Sequence, residues 1–411
     1  MLAKDQPSAS ATYSGPQNRS ALINFSLCIF TFTTANWMLI PFLPVYMKGQ
    51  GLTDAEIGSI LGVLSISALV VMLPLGVLSD LFSPKRLILL GGMIFLLFAG
   101  GVLRSKTYWQ FLLIVPLGGV AASVFFIVLY ALFLKTVGNG RLGKKIAFYQ
   151  SGIYLGFGVG PTIAGVLIRE DDFGMLLLGA VIGGVLLIVL VLRLPESDTI
   201  RLDLRGYHSD LRQGRTLLFL VLVMVYGTHF GVEQTTFTLL MKENLGFSAP
   251  LIGLVYLSVG CWMAFIAPFA GHRFDVRRSI RAFLWAGLVL SGTFQILTSI
   301  ASSVPSMILL RLAHTLGDVL MILSMGLMTA TFFPESRLGG NSAVVYATRT
   351  CGIFAGNVGA GYLNGALGYS SSFVASGTFL LLFFILAGSA VGRLLVVGDD
   401  LSSQRRLEHG A

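Results

Sequence analysis

Charged residues are scarce in this sequence. They make up 11% of its 411 residues, whereas a soluble globular protein carries about 25%. The few charges stand in short tracts between apolar runs, most of them roughly 20 residues or longer, which is the pattern of membrane-spanning helices. Lipid offers no water to the backbone, so these runs are predicted to be helices. The alternating ten-residue segments of a lipid-spanning barrel are missing.

Cysteine is scarce too, and no enzyme motif is present. Cys28, Cys261 and Cys351 all fall in apolar runs, so neither a disulfide framework nor metal-ligand spacing is indicated, and we expect no metal site. The sequence lacks a nucleophile elbow, a zinc-protease motif, a nucleotide-binding loop and an ATPase motif. We therefore expect no enzyme activity and no cofactor. Any transport by this protein would be driven by an ion gradient, for which protons are the favoured ion, or by the gradient of the substrate itself.

The apolar runs number twelve and are called spans 1 to 12. They cover residues 21–47, 55–79, 86–103, 109–136, 146–168, 174–193, 216–241, 249–271, 280–300, 305–333, 341–368 and 372–397. We expect an all-α membrane protein in five parts. These are a disordered N-tail at 1–19 that lacks signal-peptide features, a six-helix bundle at 20–193, a loop at 194–215, a second six-helix bundle at 216–397 and a C-tail at 398–411.

Lysine and arginine are divided unevenly between the two ends of the spans. With the N-terminus placed inside the cell and residues at span ends counted with the adjoining loops, 21 of the 28 lie on the side of the termini, five on the opposite side and two deep within spans. This is the positive-inside pattern, so we expect both termini in the cytoplasm and the chain in the inner cell membrane. The net charge of +9 is then a topology signal that faces membrane lipid rather than nucleic acid.

The two halves of the chain are weakly repeated. At an offset of 195 residues the matches fall on Gly58 and Gly253, Gly76 and Gly271, Asp80 and Asp275, Arg86 and Arg281, and Gly92 and Gly287. Such internal repeats are typical of transporters built from two related bundles.

The loop after span 2, "GVLSDLFSPKR", carries a family resemblance. Together with twelve spans and a central loop, it resembles the major facilitator superfamily, whose loop pattern is Gly, three residues, Asp and a basic cluster. The resemblance implies two pseudo-symmetric six-helix bundles and a gating role for the loop; the alternative is that its basic residues only set topology. The matching residues are Gly76, Asp80, Lys85 and Arg86, with Asp275 and Arg281 in the degenerate second copy.

Span 5 contains "GIYLGFGVGPTIAG". Gly156, Gly160, Pro161 and Gly165 resemble the antiporter motif that the family carries in its fifth helix. The resemblance favours exporters that exchange substrate for protons. The alternative is ordinary close packing at small residues, with a bend at the proline.

Six charged or histidine residues lie deep inside spans, away from the span ends. A charge at a helix centre costs roughly 2.5–3.5 kcal/mol on insertion scales, so such residues usually face a partner or a cavity. In span 7 the pair is four residues apart, and in span 10 the spacing is three and four, so each set shares one helix face. The residues are His229 and Glu233 in span 7, Arg311, His314 and Asp318 in span 10, and Arg349 in span 11.

These residues suggest two roles. Burial favours the neutral form of a carboxyl, which makes Glu233 and Asp318 candidates for proton coupling, and His314 and His229 can relay a proton. Arg311 and Arg349 could bind an anionic group or serve as structural counter-ions, and His229 could simply bridge two helices. In the superfamily, spans 1, 4, 7 and 10 line the central cavity, so the resemblance implies that these faces of spans 7 and 10 point toward substrate.

The amino-terminal half lacks deep charge and offers neutral polar and aromatic side chains. Asn36, Gln150 and Tyr154 are its candidate substrate contacts, with helix packing as the alternative for the tyrosine.

We therefore expect a monomeric secondary transporter that exports a small organic compound by proton antiport. The alternatives are proton-coupled uptake of a small organic anion and a non-transporting receptor on the same fold.

Overall fold

The computed structural model of the chain describes residues 17–137, 142–169, 172–196, 212–277, 280–333 and 338–409. Within these ranges an isolated bridge between Arg169 and Asp172 interrupts an otherwise helical architecture. In chain order the helices are Gln17–Leu39 and Leu43–Gly49 (span 1), Asp54–Leu81 (span 2), Pro84–Val102 (span 3), Tyr108–Ser123, the π-helix Val124–Leu129 and Tyr130–Val137 (span 4), Leu142–Leu167 (span 5), Gly174–Leu192 (span 6), Gly214–Leu239 and the π-helix Leu240–Asn244 (span 7), Ala249–Arg277 (span 8), Ile280–Thr298 (span 9), Val304–Phe332 (span 10), Leu338–Leu367 (span 11) and Tyr369–His409 (span 12).

The predicted twelve-helix fold is confirmed. Ten spans of the described chain are long and apolar enough to cross a membrane. The other two, spans 5 and 11, are 26 and 30 residues long and are richer in glycine and polar residues. Most of the predicted N-tail and central loop, residues 1–16 and 197–211, lies outside the described ranges.

Local chemistry explains where several helices begin and end. At the start of span 2, Glu56 accepts a hydrogen bond from the Thr53 backbone amide at 2.8 Å, and the Thr53 hydroxyl accepts one from the Glu56 amide at 3.3 Å, which is a capping box. Span 1 breaks between Leu39 and Leu43, around Pro41, which has no amide hydrogen to continue the helical ladder.

Span 12 extends beyond the predicted boundary at residue 397. Its helix runs 41 residues to His409, and at 1.5 Å per residue it is about 60 Å long, roughly twice the thickness of a bilayer core. Residues after 397 are mostly polar, so they continue the helix outside the hydrocarbon region.

The two bundles meet along spans 2 and 11 and along spans 5 and 8. Loops at the end of the molecule away from the termini are tied together there: Tyr46 donates to the carbonyl of Leu103 at 2.6 Å, and Tyr369 of one bundle donates to Asp54 of the other at 3.2 Å. We call this the sealed end. Toward the opposite end, the aromatic side chains of Phe265 and Phe269 are more than half exposed.

Glycine brings the helices of both interfaces into backbone contact. A Cβ added at Gly260 of span 8 would lie 2.7 Å from the Cα of Gly158 in span 5, and one at Gly361 of span 11 would lie 2.8 Å from the Cα of Gly58 in span 2. Backbones this close form smooth surfaces without interlocking side chains, which suits two bundles that move against each other.

Gly352 of span 11 gives a direct test of the helix packing inside the second bundle. Its added Cβ would clash with the Met224 carbonyl of span 7 and lie 2.9 Å from the Cα of Gly227. Gly352→Val should therefore lower the free energy of unfolding by about 1–3 kcal/mol, measured by denaturation in detergent. Gly359→Val, on the same helix with open space around it, should have little effect. Equal losses in both variants would contradict the close approach of spans 7 and 11.

Candidate functional site

The ionisable faces of spans 7 and 10 meet inside the second bundle. His229 and His314 are fully buried, and Asp318 and Arg311 are 5% and 3% exposed. Glu233 is the most accessible member, with a side-chain exposure of 16%. We call these five residues the buried cluster. Helical spacing of three and four residues explains how each span contributes its members to one face.

Arg311 and Glu233 form the ion pair at one end of the buried cluster. Arg311 Nη2 lies 2.5 Å from Glu233 Oε1, and Arg311 Nη1 donates to Gln295 Oε1 at 3.2 Å. The guanidinium also lies over the ring of Phe237, 4.5 Å from its centroid. A cation in an apolar span is thus held by a carboxylate, an amide and an aromatic face, which offsets its desolvation.

The two histidines join the carboxylates of the two spans. His229 Nε2 and His314 Nε2 are 3.0 Å apart, so one of them donates to the other. His314 Nε2 also lies 3.0 Å from Glu233 Oε1 and 3.1 Å from Asp318 Oδ2. A single chain of contacts therefore runs from Arg311 through Glu233 and His314 to Asp318.

Span 9 and one tyrosine of span 7 support the buried cluster, and the sequence analysis did not identify them. Ser291 and Tyr226 each donate to Asp318 Oδ1 at 2.9 Å, and His314 Nδ1 is 2.9 Å from the Ser291 carbonyl oxygen. The available signal was the pair Ser291 and Gln295, two polar side chains four residues apart on one face of an apolar span.

Arg349 of span 11 stands apart from the buried cluster. It lies over the ring of Phe230, 4.4 Å from the centroid, and its buried Nε has no hydrogen-bond partner. Within the part of the chain that the structure describes, no carboxylate is within ion-pair distance of it.

The candidate substrate residues of the first bundle fall on two spans. Asn36 of span 1 is 8% exposed. Gln150 and Tyr154 are half-buried on span 5. The Tyr154 backbone lies at the bundle interface, because a Cβ added at Gly260 of span 8 would lie 2.9 Å from the Tyr154 carbonyl oxygen.

The glycine motif of span 5 serves close packing. Added Cβ atoms at Gly156 and Gly160 would meet span 1, and one at Gly165 would clash with the Ala249 carbonyl at the start of span 8. Pro161 lies inside the helix, which continues through it without a break.

Asn357 of span 11 is a second polar centre that the sequence analysis missed. It donates to the Leu61 carbonyl and to Ser65 of the first bundle, both at 3.1 Å, and it accepts from Thr235 at 2.8 Å. Buried and hydrogen-bonded to both bundles, it ties spans 2, 7 and 11 together. Its position within a glycine-rich run was the available sequence signal.

The predicted gating residues are only partly described. The side chains of Gly76, Asp80 and Asp275 lie outside the described part of the chain. Lys85 is half-buried, and Arg86 and Arg281 are exposed.

Comparison with known proteins shows one family along almost the whole chain. The profile described as Major Facilitator Superfamily matches residues 25–272 and 218–396. An uncharacterised MFS-type transporter of Methanocaldococcus jannaschii is 22% identical over 378 residues, covering 88% of this chain and 96% of the relative. Multidrug resistance protein 2 of Bacillus subtilis is 26% identical over 226 residues, covering 51% of this chain and 56% of the relative.

A solved structure shows the same fold at low identity. The human organic anion transporter MFSD10 (TETRAN) superposes with a TM-score of 0.67 at 18% identity, covering 90% of this chain and all of that one.

Removing Glu233 tests whether the buried cluster is a compensated network. Glu233→Ala leaves Arg311 buried without its carboxylate and should cost about 3–5 kcal/mol of unfolding free energy in detergent. Lys48→Ala removes the ion pair between Lys48 and Asp54. The Lys48 side chain is 33% exposed, so this loss should lower the unfolding free energy by only about 0–1 kcal/mol. A loss for Glu233→Ala no larger than that of Lys48→Ala would show that Arg311 does not depend on this partner.

Proposed function

The chain belongs to the major facilitator superfamily, and from that premise we propose that it exports a small organic compound across the inner cell membrane in exchange for protons. The buried cluster carries this proposal. It contains two carboxylates and two imidazoles in contact with one another inside an apolar bundle, where gaining or losing a proton changes the local charge strongly. Glu233, Asp318, His314 and His229 are the proposed proton-coupling residues.

The proposed cycle is alternating access by a monomer with both termini in the cytoplasm. The bundles separate at the sealed end and close at the opposite end, pivoting on the glycine contacts of spans 2 and 11 and of spans 5 and 8. The buried cluster lies within one bundle, so it stays assembled while the bundles move. The loop residues Gly76, Asp80, Lys85, Arg86, Asp275 and Arg281 are proposed to latch the end opposite the seal.

Substrate is proposed to bind between the bundles. Asn36, Gln150 and Tyr154 offer neutral polar and aromatic contacts from the first bundle, which suits an organic compound of mixed polarity. The relative named as a multidrug resistance protein supports export of drug-like molecules. Arg311 is engaged by Glu233 and Gln295, so Arg349 is the cation best placed to meet substrate.

Arg349 also favours a second candidate function, which is proton-coupled uptake of a small organic anion. An arginine without a carboxylate partner among the described residues, set against an aromatic ring, is a natural receiver for a carboxylate or sulfonate. The name of the human organic anion transporter agrees with this candidate. A receptor on the same fold would bind its ligand without any flux in liposomes.

Neutralising both carboxylates tests proton coupling. With a compound that stabilises the purified protein in a thermal-shift screen, transport by the wild type should depend on an imposed pH gradient. Glu233→Gln with Asp318→Asn should abolish that dependence while binding persists, because the amides cannot exchange protons. Measurement of flux and of internal pH in proteoliposomes checks this. Unchanged pH dependence in the double variant would show that coupling lies elsewhere.

Substitution of Arg349 separates the two substrate classes. If the substrate is anionic, Arg349→Gln should weaken its binding roughly 10- to 100-fold, the equivalent of one charge-assisted hydrogen bond of about 1.5–3 kcal/mol. Arg212→Gln, at an exposed position before span 7 and outside the proposed binding and gating residues, is the matched control and should leave binding unchanged. Isothermal titration of the same compound into both variants measures the difference. Equal affinities would contradict the anion candidate.

A further inference from the structure

Spans 7 and 10 present the same short motif to each other. Each carries a histidine followed four residues later by a carboxylate: His229 and Glu233 in span 7, His314 and Asp318 in span 10. On a helix this spacing places both side chains on one face. One ligand atom from each of the four residues lies within 4.8 Å of all the others.

The separations between these four side chains approach the edge lengths of a small coordination tetrahedron. The contacts are 3.0 Å between the two Nε2 atoms, and 3.5 and 3.0 Å from Glu233 Oε1 to His229 and His314. Asp318 approaches with both oxygens, Oδ1 at 3.7 Å from His229 Nε2 and Oδ2 at 3.1 Å from His314 Nε2. Zinc bonds of about 2.0–2.1 Å in a tetrahedron require ligand–ligand edges of roughly 3.3 Å. Since one ligand atom from each residue lies within 4.8 Å of the others, an ion at the centre would draw the most distant pair together by up to about 1.5 Å.

The outer hydrogen bonds are those that orient metal ligands. His314 Nδ1 meets the Ser291 carbonyl oxygen at 2.9 Å, so Nδ1 carries the hydrogen and Nε2 can direct its lone pair toward the centre. Asp318 Oδ1 accepts from Tyr226 and Ser291, both at 2.9 Å. These contacts hold two of the four donors in place before any ion arrives.

Charge and donor type select the ion. With neutral imidazoles, two carboxylates and Arg311 leave the buried cluster with one net negative charge, which attracts a dication. Calcium and magnesium prefer oxygen-only sites, whereas two imidazoles with two carboxylates suit zinc and its neighbours in the first transition row. Four protein donors fill a tetrahedron, so the site has no open position for chemistry.

We propose that His229, Glu233, His314 and Asp318 bind one zinc-type divalent ion inside the second bundle. The accessible edge of the site is Glu233, the most exposed of the four side chains. The inference departs from the sequence expectation of no metal site and is independent of the transported compound and its direction. One consequence rests on the proposed function: a bound ion would use the side chains assigned to proton coupling and would therefore block transport.

Cobalt titration tests the site directly. The full-length protein, purified in detergent through a tag without histidines and freed of metal by chelator, is titrated with Co²⁺ and then with Zn²⁺. We expect one Co²⁺ per chain, with the strong visible absorption of tetrahedral cobalt, displaced by one equivalent of Zn²⁺. The titration involves no transport. A negative titration would therefore leave the proposed function untouched, and a negative test of proton coupling would leave the titration result untouched.

Three variants make the assignment specific. His314→Ala removes a ligand and should weaken Co²⁺ binding by more than about 100-fold, beyond the 10- to 100-fold typical of outer-shell changes. Ser291→Ala keeps all four donors and should weaken binding roughly 10-fold, which serves as the test if His314→Ala does not fold. His272→Ala, at an exposed histidine of span 8, is the control and should bind as the wild type does.

The proposal is overturned by either of two results. One is the absence of tetrahedral cobalt absorption in the folded wild type. The other is binding that survives in both His314→Ala and Ser291→Ala at wild-type affinity, which would place the ion at another group.

Discussion

The organisation of the second bundle depends on the cost of placing charge where water is absent. Arg311 sits in an apolar span and is 3% exposed, so its ionised form requires a carboxylate at contact distance. Glu233 provides it, and Gln295 and the ring of Phe237 complete the shell. Once that pair is fixed, the helical spacing of each span brings His229, His314 and Asp318 into the same contact network.

The two bundles divide the work of the proposed transporter unequally. The first offers neutral polar and aromatic side chains, and the second holds the buried cluster and Arg349. The two bundles meet through close glycine contacts and the hydrogen bonds of Asn357. No ion pair of the buried cluster crosses this interface. A moving interface and a fixed charged network are thereby kept apart. Movement of the bundles need not expose or break the buried cluster, and a change in its protonation or occupancy can still alter the field that substrate meets.

Much of this was predictable from the sequence for physical reasons. Hydropathy and the absence of water in lipid predicted the helices, and the spacing of His229 and Glu233 predicted a shared face. The supporting role of Ser291 and Gln295 was not predictable, because two polar residues in an apolar span do not indicate which neighbouring helix they face. Arg349 shows the limit of charge counting: Arg311 and Arg349 balance Glu233 and Asp318 in formal charge, yet Arg349 lies outside the network. The proposed metal site was not predicted either, because it depends on the alignment of two facing helices, and the pattern of one helix does not specify that alignment. Span 12 ran past residue 397 because polarity ends a membrane crossing without ending a helix.

The central claim is that an ion gradient acting through the second bundle drives movement of an organic compound. The most direct measurement uses the unaltered protein in proteoliposomes with the substrate at equal concentration on both sides and only a pH gradient imposed. Our account predicts that the compound becomes concentrated on one side of the membrane, and on the other side when the pH gradient is reversed. It also predicts that protons move in the direction opposite to the compound, in a fixed ratio to it. Equal concentrations at all times under either gradient, with the protein shown to bind the compound, would contradict it.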